Sequence, residues 1–536
     1  MSACRCARWH APRWVLAMSA GALMLLGMAA AQAWQPDNGD GTYTNPPLWA
    51  DYPDPDVIRV GPDFYFATTT FANAPGVRLL HSRDLVNWTI AGHVFPRLVG
   101  DPAFDLQARG AYRRGLFAPS LRYHQGRFHL AVTPVGLNTR LCSAVQIQGP
   151  WACHELDRAA FDPALFFDSD ARAYIATSIG SDGHIRLLSL SDDLRRVTNE
   201  RQVHYIAGAE GSKLVKHDGR YYLFNAVPRR LAMTISRASN LAGPWETIDS
   251  IDTAHTGGHQ GAIVDLPDGR WWGFVMQDQP AIGRITNFSP VFWRDGWPVW
   301  GTPDAPGRVP ARALKPVPGQ PAAQPATSDT FDQPTLGLQW AWNHNPDDTG
   351  WSLAERPGHL RLHALAAPDF WRARNTLTQK GQGPYSRNEV ALDLAGLQPG
   401  DQCGLGTLGK VNAQLAATRE AEGALVLQWR QITDRGDALP QAVSQGPQVR
   451  LPSARVELRL EMDFPRRQGR LAWRAGLAPA PWQRLGAPFD LVYDWRTGTF
   501  QGPQVALFCH HAGAARGGFM DVDEFRFSDR PDEPGH

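Results

Sequence analysis

Three acidic residues lead similar segments of this 536-residue chain. Asp54, Asp162 and Glu210 each precede a tight turn by nine residues. Two further segments of the same kind begin at Phe117 and His259. Carboxyl groups placed in this way suit glycoside hydrolysis, in which one group protonates the leaving oxygen and another activates water or attacks carbon. A third carboxylate nearby would raise the pKa of the acid by like-charge repulsion.

All five segments follow one pattern: a leading residue, a β-rich stretch, a tight turn and an aromatic strand. They read DPDVIRVGPDFYFA, FAPSLRYHQGRFHLA, DPALFFDSDARAYIA, EGSKLVKHDGRYYLF and HQGAIVDLPDGRWWGF, with leading residues 45 to 63 positions apart. Repeats of this length predict a five-bladed β-propeller over residues 34–314. Because innermost propeller strands converge on one axis, the leading residues should form a ring around a pocket. A single acid would be interpreted as a solvated turn cap, but three in register favour a shared site.

The composition excludes several other classes of protein. Lys plus Arg number 53 and Asp plus Glu number 52, so the net charge of +1 gives no reason to expect nucleic acid or an anionic membrane as a partner. The 51 Gly, 43 Pro and 20 Trp residues are typical of short strands joined by turns rather than of a helical bundle. We therefore expect an all-β chain.

The first residues have the pattern of a secretory signal. Arginines precede an apolar run over residues 14–31, which ends in Ala31-Gln32-Ala33. This pattern predicts a signal peptide over residues 1–33 and an exported protein, periplasmic or extracellular, with an uncleaved membrane anchor as the alternative. An oxidising compartment permits disulfides. Cys142 and Cys153 flank a short turn, and the sequence leaves open whether they pair.

The second half of the chain predicts a separate β-sandwich. A Pro- and Ala-rich stretch over residues 315–328 is typical of a linker, and short β patterns continue over residues 329–536. Phe370 and Trp371, in a predicted loop, are candidates for closing the propeller pocket over substrate, with ordinary core packing as the alternative. A GxGxxG match at residues 404–409 lacks a surrounding βαβ unit and predicts no nucleotide site.

Several motifs taken together resemble glycoside hydrolase family 43. They are NPPLWADYPDPDVIRVG, LLHSRDLVNW, FAPSLRYHQGRF, FDPALFFDSD, AEGSKLVKHDGRYYL, GGHQGAIV and GRWWGFVMQDQPAIGR. The resemblance implies a five-bladed propeller followed, in xylosidase-like members, by a concanavalin A-like β-sandwich. It also implies hydrolysis of xylosyl or arabinosyl bonds, as in β-xylosidases and α-L-arabinofuranosidases, with inversion of the anomeric centre.

The resemblance implies a catalytic role for each of the three acids. Asp54 of YPDPD would be the general base, Glu210 of AEGSKL the general acid, and Asp162 of FDPALFF the group that modulates the pKa of that acid. In an inverting enzyme the base and the acid stand about 6.5–9.5 Å apart, which admits one water. Activity should therefore fall at high pH, when Glu210 loses its proton, and at low pH, when Asp54 gains one.

Three further residues are candidates for contacting a ligand. Arg284 matches a substrate-binding arginine of the family, although a plain salt bridge fits the sequence equally well. Phe117 stands where the family usually has Trp, which implies a smaller pocket wall and leaves the sugar preference open. His259 of GHQG matches a histidine that ligates a central metal ion, often calcium, in some members. A calcium ion in the propeller channel is thus an option, and no cofactor is required.

Two other functions compete with hydrolysis. A non-catalytic sugar-binding propeller would keep the fold but would not need Asp54, Asp162 and Glu210 together. Fructan-acting propeller enzymes rely on an Arg-Asp-Pro motif, which this sequence lacks. The leading hypothesis is an exported inverting glycosidase that acts on xylan or arabinoxylan fragments. The sequence leaves open whether it releases xylose or arabinose and whether it cleaves at chain ends or internally.

Overall fold

The computed structural model describes residues 34–107, 110–250, 257–434, 440–476, 480–496, 500–513 and 515–531. The predicted signal peptide lies outside these residues. The described chain is almost entirely β, with three short 3-10 helices at Pro102–Asp105, Pro228–Arg230 and Asp348–Gly350. None of these described helices is long and apolar enough to cross a membrane.

The first half folds as a five-bladed β-propeller, which confirms the prediction from the repeats. Each blade is an antiparallel sheet whose strands follow in chain order, four in blades 1–4 and five in blade 5. Blade 1 contains Asp56–Val60, Asp63–Thr68, Gly76–Ser82 and Trp88–Phe95. Blade 2 contains Leu116–His124, Arg127–Pro134, Arg140–Ala144 and Ala152–Glu155. Blade 3 contains Phe161–Phe167, Ala173–Ser178, His184–Leu190 and Val197–Tyr205.

The remaining blades and a short ladder complete the ring. Blade 4 contains Glu210–His217, Arg220–Val227, Ala232–Ala238 and Glu246–Asp249. Blade 5 contains His259–Asp265, Trp271–Gln279, Gly283–Arg294, Trp297–Thr302 and Ala305–Pro306. Antiparallel pairing of Thr42–Thr44 with Arg312–Leu314 brings the two ends of the propeller together.

The turns of the repeats have the geometry that short hairpins need. Gln125-Gly126 and Asp218-Gly219 have positive φ at both residues, which suits the right-handed twist of the strands that they join. The aromatic strands after the turns are buried, and Phe64 and Phe66 are fully covered. Each hairpin therefore supplies two inner strands, and its aromatic side chains stabilise the packing of the propeller.

The innermost strand of each blade is interrupted near its start. In blades 2–5 the register with the second strand shifts just after Phe117, Phe161, Glu210 and His259. Left-handed backbone, with φ between 31° and 58°, occurs at Asp54, Ala118, Asp162, Gly211 and Gln260. The left-handed residue is the leading residue itself in blades 1 and 3, but the residue after it in blades 2, 4 and 5. The sequence predicted one register for all five leading residues, and Phe117, Glu210 and His259 differ from it by one position because of the bulge.

The second half is a β-sandwich of two eight-stranded sheets, as predicted. One sheet has the order Ala341–Trp342, Leu377–Lys380, Gln504–His511, Asp401–Leu408, Val411–Arg419, Leu425–Asp434 and Pro440–Arg450, with Leu365–Ala366 beside Gln504–His511. The other has the order Trp351–Ser352, Leu360–His363, Phe519–Ser528, Tyr385–Asp393, Arg455–Asp463, Gln468–Ala475 and Gln483–Arg484, with Phe489–Asp490 beside Gln468–Ala475. Residues 315–328 contain no strand or helix.

One disulfide lies in each domain. Cys142 and Cys153 are bonded across the third and fourth strands of blade 2, so the pair that the sequence left open is formed. Cys403 and Cys509 are bonded between neighbouring strands of the sandwich, where they stand directly opposite each other. The sequence did not predict this second pair, because 106 residues separate the two cysteines.

Candidate active site

A cavity of about 450 Å³ lies where the innermost propeller strands begin. All five residues of the predicted ring line it, and so does Arg284. A segment of the sandwich also lines the cavity, through Tyr493, Trp495 and Phe500. The propeller therefore supplies the predicted ring, and the second domain completes the wall of the cavity.

Asp54 is buried at the inner end of this cavity, with both carboxylate oxygens held. The Thr69 hydroxyl donates to its Oδ2 at 2.6 Å, and Arg284 Nη1 donates to its Oδ1 at 3.0 Å. Its backbone has a φ of 53° between two prolines, a costly conformation that persists only where the surroundings fix it. The carboxylate is therefore fixed in orientation, as a group that accepts a proton from a bound water must be.

Asp162 and Glu210 form a pair of carboxyl groups with raised pKa values. Burial, together with the charges of Glu210 and Asp54, raises the pKa of Asp162 well above its ordinary range. Burial also raises the pKa of Glu210, although the Ser181 hydroxyl, which hydrogen-bonds to its Oε2, opposes the rise. Both pKa values are raised, so the site favours a retained proton. That is the state a general acid needs.

Arg284 connects the buried carboxylate to the sandwich. Besides the ion pair with Asp54, its Nη2 donates to the carbonyl of Phe500 at 3.3 Å. Burial alone would lower the pKa of Arg284, but the charges of Asp54 and of other acidic groups nearby together outweigh burial and the pKa rises, so the guanidinium stays charged. Its buried Nε has no hydrogen-bond partner among the described residues. Arg284 thus forms the salt bridge and keeps one donor for a ligand.

Asp51 and Asp56, the neighbours of Asp54 in the sequence, have structural contacts instead. Neither is among the described residues that line the cavity. Asp51 accepts the backbone N–H of Arg284 at 2.7 Å and that of Gly502, from the sandwich, at 3.0 Å. Asp56 accepts from the Leu121 backbone at 2.8 Å and so joins blades 1 and 2. Of these three neighbouring acids, only Asp54 lines the cavity.

His259 lines the cavity next to Asp278. Its Nε2 lies 3.4 Å from Asp278 Oδ1, and its buried Nδ1 has no partner among the described residues. Burial raises the pKa of Asp278, but the contact with His259 and the charge of Arg284 together outweigh burial and lower the pKa. The described part of the chain contains no group of three His, Cys, Asp or Glu side chains that could hold a metal ion. Calcium takes about six to eight oxygen ligands, so these two residues alone do not form a calcium site.

Three phenylalanines form the apolar wall of the cavity. The ring centroids of Phe71 and Phe117 are 5.1 Å apart, and Phe71 stacks on Phe500 at 6.1 Å. The guanidinium of Arg113 lies 4.4 Å from the centroid of the Phe500 ring and so holds that ring in place. Phe117 is therefore located where the sequence predicted, on a wall that suits the C–H face of a sugar.

Phe370 does not line the cavity, and its prediction as a substrate-binding residue is wrong. It is fully buried and packs against Phe508, with ring centroids 5.2 Å apart. Trp371 beside it packs against Tyr112 of the propeller at 5.0 Å. These aromatic residues fill the space between sandwich and propeller. No motif or repeat gave a signal for the sandwich residues that do line the cavity, which are Tyr493, Trp495, Arg496 and Phe500.

Gly211 lets the chain pack closely beside Glu210. A Cβ at Gly211 would stand 2.9 Å from the side chain of Gln260, and its φ is 58°. The glycine therefore permits the bulge after Glu210 and the close approach of Gln260, which itself lines the cavity.

Comparisons with known proteins agree with this fold. Residues 43–298 match the family Glycosyl hydrolases family 43, and residues 328–528 match the Beta xylosidase C-terminal Concanavalin A-like domain. A beta-xylosidase of Formosa agariphila is 29% identical over 557 residues, which cover 92% of this chain and 91% of the relative. A non-reducing end alpha-L-arabinofuranosidase of Bacteroides ovatus is 32% identical over 388 residues, covering 66% of this chain and 69% of the relative.

A solved structure of similar architecture extends the comparison to both domains. It is a GH43 glycoside hydrolase with an engineered active site that displays both endo-xylanase and exo-arabinofuranosidase activity. It is 28% identical with a TM-score of 0.83, and the match covers 91% of this chain and 100% of that chain. The propeller, the sandwich and the family matches of both domains together identify a glycoside hydrolase. This chain belongs to glycosyl hydrolases family 43, an inverting family.

Proposed function

We propose that this protein is an exo-acting, inverting glycosidase that removes terminal xylosyl or arabinosyl residues from xylan-derived oligosaccharides. One observation carries the proposal. Asp54 and Glu210, from different blades, face one cavity whose wall is completed by Phe500 of the sandwich. A cavity of about 450 Å³ that is walled by residues of both domains suits the end of a sugar chain better than its middle.

In the proposed reaction Asp54 accepts a proton from one water while that water attacks the anomeric carbon. Glu210 donates its proton to the glycosidic oxygen, which leaves with the aglycone. After turnover Asp54 is protonated and Glu210 is ionised, so both return to their starting states through proton exchange with solvent before the next cycle. The hydrogen bonds from Thr69 and Arg284 keep the basic oxygens of Asp54 oriented toward the water.

Unpaired polar atoms in the cavity support a polar substrate. Buried Arg284 Nε, His259 Nδ1 and Gln260 Nε2 have no hydrogen-bond partner among the described residues. Buried polar groups without partners cost free energy, so a ligand that satisfies them gains affinity and orientation. Sugar hydroxyls both donate and accept and can fill these positions, whereas an apolar ligand cannot.

Of the two sugars, we propose xylose as the main one released and arabinose as the second candidate. The full-length relative from Formosa agariphila is named a beta-xylosidase, and the C-terminal domain family carries the same activity in its name. Release of α-L-arabinofuranose is the second candidate, because the relative from Bacteroides ovatus is named for it.

Hydrolysis of two aryl glycosides tests the proposal directly. The protein is incubated with nitrophenyl β-xyloside and nitrophenyl α-L-arabinofuranoside, and proton NMR follows the first anomer released. We expect α-xylose from the β-xyloside, because single displacement by water inverts the anomeric centre. Release of β-xylose first, or no hydrolysis of either glycoside, would overturn the proposal. Xylohexaose should yield xylose from its ends without internal fragments.

Export and metal binding remain separate proposals. The basic and apolar pattern of residues 1–33 supports export after signal cleavage, and the two disulfides suit an oxidising compartment. Mass spectrometry of the mature N-terminus, expected at Trp34, tests export. A calcium ion beside His259 would have to take most of its ligands from water, and no step of the proposed reaction uses it.

A further inference from the structure

Two arginines at the outer part of the cavity have no acidic partner. Arg229, just after the second strand of blade 4, lines the cavity, is exposed, and has no hydrogen bond or ion pair with any described residue. Arg496, from the sandwich, also lines the cavity and is exposed. Its guanidinium lies 5.0 Å from the centroid of the neighbouring Trp495 ring and forms no ion pair within the described chain.

The adjacent Arg230 shows how an ordinary surface arginine behaves in this molecule. It pairs with Asp249 at 3.0 Å, and it is not among the described residues that line the cavity. Asp494 is the acid next to Arg496 in the sequence, but it accepts the backbone N–H of Arg496 at 2.9 Å rather than the guanidinium. The two cavity arginines thus retain donors for a ligand.

Charge is distributed unevenly along the cavity. The four lining acids, Asp54, Asp162, Glu210 and Asp278, all come from the propeller and are largely covered. One exposed arginine comes from each domain, and Trp495 beside Arg496 exposes 38% of its surface. A neutral terminal sugar suits the inner end, where the carboxyl groups act. The outer part, which the leaving group must occupy, presents positive charge and an aromatic face.

We propose that Arg229 and Arg496 bind a carboxylate on the leaving part of the substrate, so that the preferred oligosaccharide bears a uronic acid close to the bond that is cleaved. This inference rests on the proposed function, because it assumes that the leaving group points outward from Glu210. Guanidinium groups form paired hydrogen bonds with carboxylates, which neutral sugar hydroxyls cannot match. Trp495 would stack on the sugar that carries the acid.

Binding to an inactive protein tests this inference without requiring turnover. The Glu210→Gln variant is titrated by calorimetry with a xylo-oligosaccharide that carries a glucuronic acid branch and with the methyl ester of the same compound. The two ligands have nearly the same size and differ in charge. We expect the acid to bind about fivefold to tenfold more tightly than the ester, and the difference to shrink at high salt.

Arginine variants then locate the effect. Adding Arg229→Gln and Arg496→Gln should abolish the preference for the acid, whereas adding Arg230→Gln, the matched neighbour, should leave it intact. Equal affinities for acid and ester, or a preference that survives loss of both cavity arginines, would overturn the inference. Failure of the proposed function would show separately, as absence of hydrolysis of both neutral aryl glycosides by the unmodified protein.

Discussion

The propeller and the sandwich contribute different kinds of group to one cavity. Asp54, Asp162 and Glu210 come from three blades of the propeller, whereas the sandwich supplies the aromatic rings of Tyr493, Trp495 and Phe500. Under the proposed function, the propeller carries the charges that move protons, and the sandwich shapes the space around the sugar. Changes to the propeller acids should lower kcat, and changes to the sandwich rings should mainly raise KM.

The largest expected effect is that of Glu210→Gln on substrates with poor leaving groups. Loss of a general acid lowers kcat by about 10²–10⁴-fold, and we expect about 10³-fold with xylobiose. A nitrophenyl leaving group needs little protonation, so its hydrolysis should fall far less. Steady-state kinetics with both substrates measures the contrast. Glu246→Gln, on the outer strand of the same blade, is the control and should leave both rates unchanged.

An equal loss of rate with both leaving groups would remove Glu210 from the role of acid. It would also contradict the proposed difference between the domains, because the loss of rate would then come from a changed cavity shape and not from a lost proton donor. The melting temperature of each variant shows whether the fold is kept.

A smaller effect is expected when Phe500 is changed to Ala. The substitution removes the ring that stacks on Phe71 at 6.1 Å and lies 6.0 Å from Phe117. Loss of one aromatic contact of about 1–1.5 kcal/mol should lower kcat/KM by about tenfold, mainly through KM. Kinetics on the aryl xyloside measures the change, and Phe500→Tyr should restore most of it. A loss confined to kcat would contradict the proposed role of the sandwich.

The smallest expected effect is a change in pH profile for Asp162→Asn. The charges of Asp162 and Glu210 affect each other, and the proposed modulating role of Asp162 requires that the pKa of Glu210 falls when this carboxylate is removed. Glu210 must be protonated to act, and activity is lost as the pH rises through its pKa. The alkaline limb of kcat/KM should therefore move to lower pH by about one unit. An unchanged limb, or one that moves to higher pH, would show that Asp162 does not modulate the acid.

The propeller and most of its site were predictable because the same sequence pattern occurs five times, once for each blade. Each blade needs a tight turn and an aromatic strand, so the repeats alone align Asp54, Asp162 and Glu210 with one another. The repeats did not predict the bulges that shift Phe117, Glu210 and His259 by one position relative to Asp54 and Asp162. Bulges depend on pairing with the neighbouring strand, which a single segment of sequence does not contain.

The sandwich residues of the site were not predictable, because the sandwich has no repeat that would align them with one another. Phe500 has no counterpart in a repeat, and it reaches the cavity because the carbonyl of Phe500 and the N–H of Gly502 bond to propeller residues far away in sequence. Phe370 looked equally suitable, since an aromatic residue in a loop can fill an internal gap or face a ligand. Only the packing of both domains distinguishes the two outcomes.

Asp51 joins the two domains and so limits the exchange of either domain for one from another protein. Its carboxylate binds one backbone N–H from each domain, those of Arg284 and Gly502, and is only 5% exposed. A Cβ at Gly502 would stand 1.7 Å from the carbonyl of Ile282, so the two chain segments meet backbone to backbone. The sandwich is therefore packed directly against the propeller, in addition to being linked to it through residues 315–328. A chimaera that joins this propeller to a foreign sandwich would need to reproduce that junction before it could reproduce the enzyme.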